Sequence, residues 1–200
     1  RARVDTLEAP FDLNAGMKLE LGSTAKLRTA AHYLEVMAGL HEALGRLEPA
    51  ALAVVGREAR DPLTRWAAET LAREPGLARE AFLARALERS YPAHPWEVFF
   101  TGGGTHVFRN FDADDDGRVL TVREALARSV NLVFVRLMRD LVRFHAARLP
   151  YDADAVLADP AHPVRARLLA EIAEEEARLV LARAWQRLRG LGPRAIVAQV

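Results

Sequence analysis

Ser23 and Lys26 stand three residues apart in the run Gly22-Ser-Thr-Ala-Lys26, at the entry to a stretch with helical hydrophobic spacing. That separation puts a hydroxyl and an amine on one helix face, near enough for the amine to take the hydroxyl's proton. A serine in the first turn also sits in the positive field of the helix N-terminus, which favours a developing alkoxide. A lysine withdrawn from water loses its proton more readily and so becomes a base. The structural alternative is a plain N-cap, a role serine fills well, and a chain of this length with ordinary composition carries about one S-x-x-K spacing by chance. Lys18 and Lys26 are the two lysines of a chain whose other basic residues are arginines. Arginine cannot be deprotonated in a protein, so a retained lysine fits a site that needs a neutral amine, or simple codon bias.

Ser129-Val130-Asn131 is the second pattern with chemistry in it. Here a hydroxyl could relay a proton to a leaving amine, and an amide could hold a peptide carbonyl; alternatively, Asn131 caps the helix that follows. Other patterns fail on their own terms. Asp112 to Gly117 imitates the first half of a calcium loop, but Arg123 occupies the twelfth position where glutamate is needed, so we read a polar aspartate-rich turn. His41-Glu42 begins like a zinc-protease motif, but Gly45 stands where its second histidine belongs. Gly102-Gly103-Gly104 lacks the residues of a phosphate-binding loop, and the six histidines, His32 and His145 among them, show no ligand spacing. No metal and no cofactor is expected.

The elements that must carry these residues are mostly helical. Leu27, Ala30, Leu34, Met37, Leu40 and Leu44 predict a helix from Ser23 to about Gly45, behind a segment with turn formers at Pro10, Asn14 and Gly16. Residues 48–89, cut by Pro49, Pro62 and Pro75-Gly76, predict three or four short helices. Residues 90–120 read as loop with a short strand or hairpin. Thr121-Val-Arg-Glu124 is a capping box, and a further helix from about Asn131 sets Val135, Met138, Val142 and His145 on one face. The last helix is expected from about Pro163 to Arg189, with Gly190 as its cap and Glu174–Glu176 on a solvated face.

Composition narrows the classes. Half of the 200 residues are apolar and 28% charged, a globular balance, and no apolar run reaches membrane-spanning length. A net charge of +1, with basic and acidic residues interleaved, excludes a global field toward nucleic acid, and Trp66, Trp96 and Trp185 are too scattered to stack bases. Cysteine is absent, which removes disulfides and thiol chemistry. The chain opens at Arg1, and we read it as a piece of a larger protein with any export or anchoring segment upstream.

Three blocks carry a family resemblance. "PFDLNAGMKLELGSTAKLRT", "TGGGTHVFRNF" and "LTVREALARSVNLVFVRLMRD" resemble, in order, segments of the transpeptidase domain of bifunctional, class A-type penicillin-binding proteins. They cover roughly residues 10 to 38 and 100 to 144; residues 46–96 and 150–200 look like helical insertions. The resemblance implies the helical part of a serine-transpeptidase (penicillin-binding and β-lactamase-like) α/β domain, mainly α here, with most of the central sheet outside the chain. Its divisions would be a nucleophile helix at 22–45, the insertion at 46–96, the S-x-N segment at 100–148 and the insertion at 150–200.

By that resemblance Ser23 is the acylated nucleophile, Lys26 the base that activates it, Ser129 a proton shuttle and Asn131 a donor-peptide contact. The reaction implied is peptidoglycan D,D-transpeptidation through a serine acyl-enzyme, outside the cytoplasmic membrane, in a protein held to it by a segment outside this chain. Stem peptides would be its substrates, and β-lactams would trap the same serine. The family's third motif, K-[ST]-G, is absent, since neither lysine is followed by Ser/Thr-Gly; the resemblance places it past Val200 and makes the 200 residues alone a poor catalyst. The rival expectation is a non-catalytic helical binding or scaffold module, with an aspartate-rich loop that takes calcium.

Overall fold

The computed structural model describes residues 3–6, 9–12, 22–101 and 104–192; Asn14, Gly16, Lys18, Gly102 and Gly103 lie outside them. The described chain is mainly helical, with eight α-helices and three two-stranded antiparallel ladders. It forms two compact units, Arg1–His145 and Ala146–Val200.

In the first unit, β1 (Arg3–Thr6) pairs with β2 (Ala9–Asp12). Gly22 then turns the chain at φ +51°, a left-handed conformation that glycine adopts without a Cβ clash, and α1 (Thr24–Leu44) begins. Its buried face is Ala30, Tyr33, Val36, Met37, Leu40 and Leu44, so the predicted spacing is the packing face, apart from exposed Leu27 and half-buried Leu34. Tyr33 and Met37 are fully enclosed, and each such side chain contributes about 1.5–3 kcal/mol. α1 ends at Leu44 with Gly45 as its cap residue in right-handed conformation.

Three short helices follow: α2 (Pro49–Glu58), α3 (Pro62–Arg73) and α4 (Arg79–Leu87). The first two start with proline, whose missing N–H costs nothing in a first turn, and the Asp61 carboxylate caps α3 by accepting from Thr64 N at 2.8 Å. α1 packs on α3, α4 and the later α5, which makes it the central rod of the core.

The loop-rich middle is more ordered than its composition predicts. β3 (Ser90–Pro92) pairs with β6 (Val119–Thr121), and β4 (Val98–Thr101) forms a hairpin with β5 (Gly104–Val107). The aspartate-rich turn is a 3₁₀ segment at Ala113–Asp115. The capping box is complete: Thr121 Oγ1 accepts from Glu124 N, and Thr121 N donates to Glu124 Oε2. That backbone N–H holds the Glu124 carboxyl below the ordinary range. α5 (Val122–Arg128) follows, then α6 (Asn131–Ala146).

On α6 the expected apolar face is corrected. Leu132, Val133, Phe134, Leu137 and Leu141 are buried, whereas Val135 is half-buried and Met138, Val142 and His145 are exposed. The helix has two apolar stripes, and the bulkier one, with Phe134 and three leucines, packs into the core. In the second unit, α7 (Ala153–Ala158) is capped by Asp152 and α8 (Pro163–Leu188) by His162, while Gly190 follows α8 at φ +86°. α8 buries none of its residues, and Glu174 pairs with Arg178 on its surface. No described helix is long and apolar enough to cross a membrane.

Candidate functional site

The first turn of α1 is tight: Ala25 N donates to Gly22 O and Lys26 N to Ser23 O, both at 3.2 Å. Ser23 therefore stands at the helix entry with right-handed backbone angles, and its hydroxyl accepts from no backbone N–H as an N-cap would. Instead, Lys26 Nζ lies 3.1 Å from Ser23 Oγ, the reach expected of an i, i+3 pair.

Ser129 arrives from 106 residues away. α5 ends in a Schellman turn, with Ser129 N donating to Leu126 O at 3.2 Å and Val130 N to Ala125 O at 2.9 Å. That turn needs left-handed backbone at Ser129, which has φ 58° and ψ 35° and is the one non-glycine residue with positive φ among the described residues. Glycine is the usual occupant, and a serine held there costs about 1–3 kcal/mol. Val130, 2% exposed, plugs the core beneath the turn. The result is that Ser129 Oγ donates to Ser23 Oγ at 3.0 Å and accepts from Lys26 Nζ at 3.1 Å.

One amine thus touches two hydroxyls that touch each other. Partial burial lowers the Lys26 pKa from 10.5, because the amine loses water that would stabilise its charge. The neutral amine can accept the Ser23 proton, and Ser129 can carry a proton between Lys26 and a group leaving from above Ser23.

The structure brings Asn131 to the same turn, in a different capping arrangement from the one its position suggested. Its Nδ2 donates to Arg109 O at 2.9 Å, leaving one amide hydrogen and Oδ1 without a partner among the described residues. The helix start is satisfied from elsewhere: Asn110 Oδ1 accepts from Leu132 N at 3.0 Å. Sequence reasoning missed Asn110, because an asparagine 22 residues upstream of the N–H it caps leaves no local pattern.

The aspartate-rich turn faces arginines. Asp115, 4% exposed, accepts from Arg128 Nη2 at 2.7 Å and Nε at 3.1 Å, and lies 3.6 Å from Arg118 Nη1. Asp116 Oδ1 takes Asn110 Nδ2, and Asp112 Oδ1 caps Asp114 N. Among the described residues no three His, Cys, Asp or Glu side chains gather as a metal site would. A groove of about 590 Å³ between α2 and α3, lined by Leu52, Gly56, Arg65 and Ala72, contains none of the site residues.

His32 and His145, read as ordinary helix residues, form a pair instead. Their Nε2 atoms are 2.9 Å apart and their rings lie within 9° of parallel, linking α1 to the end of α6.

No family model matches the chain, and neither does any curated protein or solved structure.

Proposed function

We propose that this chain is part of a serine acyltransferase, a D,D-transpeptidase of the penicillin-binding-protein kind that cross-links cell-wall stem peptides. The observation that carries the reading is the closed triangle of Ser23, Lys26 and Ser129, with edges of 3.0 to 3.1 Å. An accidental S-x-x-K has no reason to meet a strained serine from another helix.

In the proposed reaction the neutral Lys26 amine takes the Ser23 proton as Oγ attacks the carbonyl carbon of a D-Ala-D-Ala peptide. A C–O bond forms, the tetrahedral adduct collapses, and the C–N bond breaks. The departing D-alanine amine receives its proton through Ser129, leaving an ester on Ser23. The amine of a neighbouring peptide then attacks that ester carbonyl, a new amide C–N bond forms as the C–O bond to Ser23 breaks, and the proton the amine sheds returns to Ser23 Oγ by the same route. Asn131 offers its second amide hydrogen to the donor peptide. The α/β domain of this enzyme class and its K-[ST]-G strand belong to the same reading, as do β-lactam acylation, an extracytoplasmic location and membrane attachment through a segment outside these residues.

The rival, a non-catalytic module with a calcium loop, has less support. The Ser23 hydroxyl caps no backbone N–H, and Asp115 is matched by Arg128 rather than held open for a cation.

The test is labelling of the protein in its natural full-length form by a fluorescent penicillin. We expect one covalent label per chain, lost in Ser23→Ala and reduced by at least about a hundredfold in Lys26→Ala. A folded protein that takes no label, or a label that persists in Ser23→Ala, overturns the reading.

A further inference from the structure

Ser129 works only if a turn in an unfavoured conformation holds its hydroxyl in place, and three contacts grip that turn from one side. Asp115 binds the guanidinium of Arg128, the residue before Ser129, through two hydrogen bonds of 2.7 and 3.1 Å. Arg109 O accepts from the Asn131 side chain, two residues after Ser129, at 2.9 Å. Asn110 Oδ1 accepts from the next backbone N–H, Leu132 N, at 3.0 Å. Asn110 is itself anchored by its own amide, which donates to Ala93 O beyond β3 and to Asp116 Oδ1 in the acidic turn, both at 2.8 Å. One side chain thus joins the segment after β3, the acidic turn and the start of α6, using both amide hydrogens and the carbonyl oxygen.

We infer that Asn110 is a positioning residue for Ser129, and that the aspartate-rich turn is the strut that braces it. The inference rests on the acyl-enzyme reading above. Physically, Asn110 fixes where α6 begins, and Asp115 fixes where α5 ends. Ser129 lies between the two fixed points, so its hydroxyl cannot swing away from Ser23 and Lys26. A proton relay depends steeply on such placement, and an ångström of drift costs up to about a hundredfold in rate. Asn110 touches neither the Ser23 hydroxyl nor the Lys26 amine, so its effect on saturated acylation passes through the turn that carries Ser129, whereas an effect through Asn131 would fall on half-saturation.

That dependence makes the test a double-mutant cycle. The rate of Ser23 acylation by fluorescent penicillin is measured at saturating and sub-saturating concentrations for wild type, Asn110→Ala, Ser129→Ala and the double variant. We expect Asn110→Ala to slow saturated acylation by at least about tenfold, with half-saturation changed by less than about threefold. The double variant should be no slower than Ser129→Ala alone. If the losses multiply instead, or if Asn110→Ala shifts only half-saturation, the positioning role is overturned while the acyl-enzyme reading stands. A folded wild type without label overturns both. Should Asn110→Ala fail to fold, Arg128→Gln replaces it in the cycle with the same expected and overturning outcomes, since the Arg128 side chain is 44% exposed and the buried Asp115 keeps Arg118 at 3.6 Å as a second cation.

Discussion

At Ser129 the backbone bears a cost that glycine would not, and nothing in the packing of the turn requires a side chain there. Ser129→Gly should therefore stabilise the fold by about 1 kcal/mol while slowing penicillin acylation by at least about tenfold. Thermal denaturation and label kinetics on the same variant check both halves; a variant that is stabilised yet equally fast would remove Ser129 from the mechanism. The residues of the site differed in how readable they were. Ser23 and Lys26 were legible because i, i+3 spacing on a helix is a fixed distance, and the structure finds them 3.1 Å apart. Ser129 could be named from its motif, but its meeting with Lys26 spans 103 residues and depends on a left-handed turn that the letters Ser-Val-Asn do not announce. Asp115 was legible only as part of an aspartate-rich turn, and the roles of Asn110 and Arg128 were not legible, since each works through a partner from another segment.

At the scale of elements, α6 begins at Asn131 as its spacing predicts, but the face it buries is not the expected one. Its sequence offers two stripes, and period alone cannot say which meets the core. The polar residues of α6 show the choice more clearly: Arg136 is 2% exposed and Asp140 is 6% exposed, both on the buried side. Arg136 donates to Pro92 O, His94 O and Glu97, stitching α6 to the segment after β3. Asp140 accepts from Tyr91 Oη at 2.7 Å and from Arg89 Nη2 at 3.2 Å. Removing one member of such a buried pair strands the other charge. Asp140→Ala should cost about 3–5 kcal/mol in urea denaturation. By contrast, Arg123→Ala should cost less than about 1 kcal/mol, because its 2.7 Å pair with Glu88 is half exposed on both sides. Equal losses in the two variants would mean that burial is not what gives the Asp140 pair its weight.

Over the first unit as a whole, the Tyr33, Arg89, Tyr91 and Asp140 group gathers α1, the segment after α4, β3 and α6 around one polar centre. Burial pushes the Tyr33 phenol up to about 12 and the Tyr91 phenol further above its ordinary value. The sign follows directly: the unfolded chain ionises these phenols near pH 10 while the folded chain keeps them neutral. Stability is then fully present below about pH 10 and is lost as pH rises toward 12. Chemical denaturation between pH 9 and 12 should show this decline, and Tyr33→Phe should make it shallower; an unchanged slope would assign the alkaline loss to other groups.

What the amino-acid order determined by itself is what depends on neighbours within a few residues. That covers the helical class, the starts set by Pro49, Pro62 and Thr121, and the S-x-x-K pair on one face of α1. The tertiary structure decided which stripe of α6 is buried, that His32 meets His145, that Asn110 rather than Asn131 caps α6, and that the acidic turn faces arginine. Above all it decided that Ser129 reaches Ser23. Helix geometry is a repeating local rule, so spacing encodes it. The meeting of two segments 106 residues apart follows instead from the lowest free energy of the whole packed core, and no spacing encodes that.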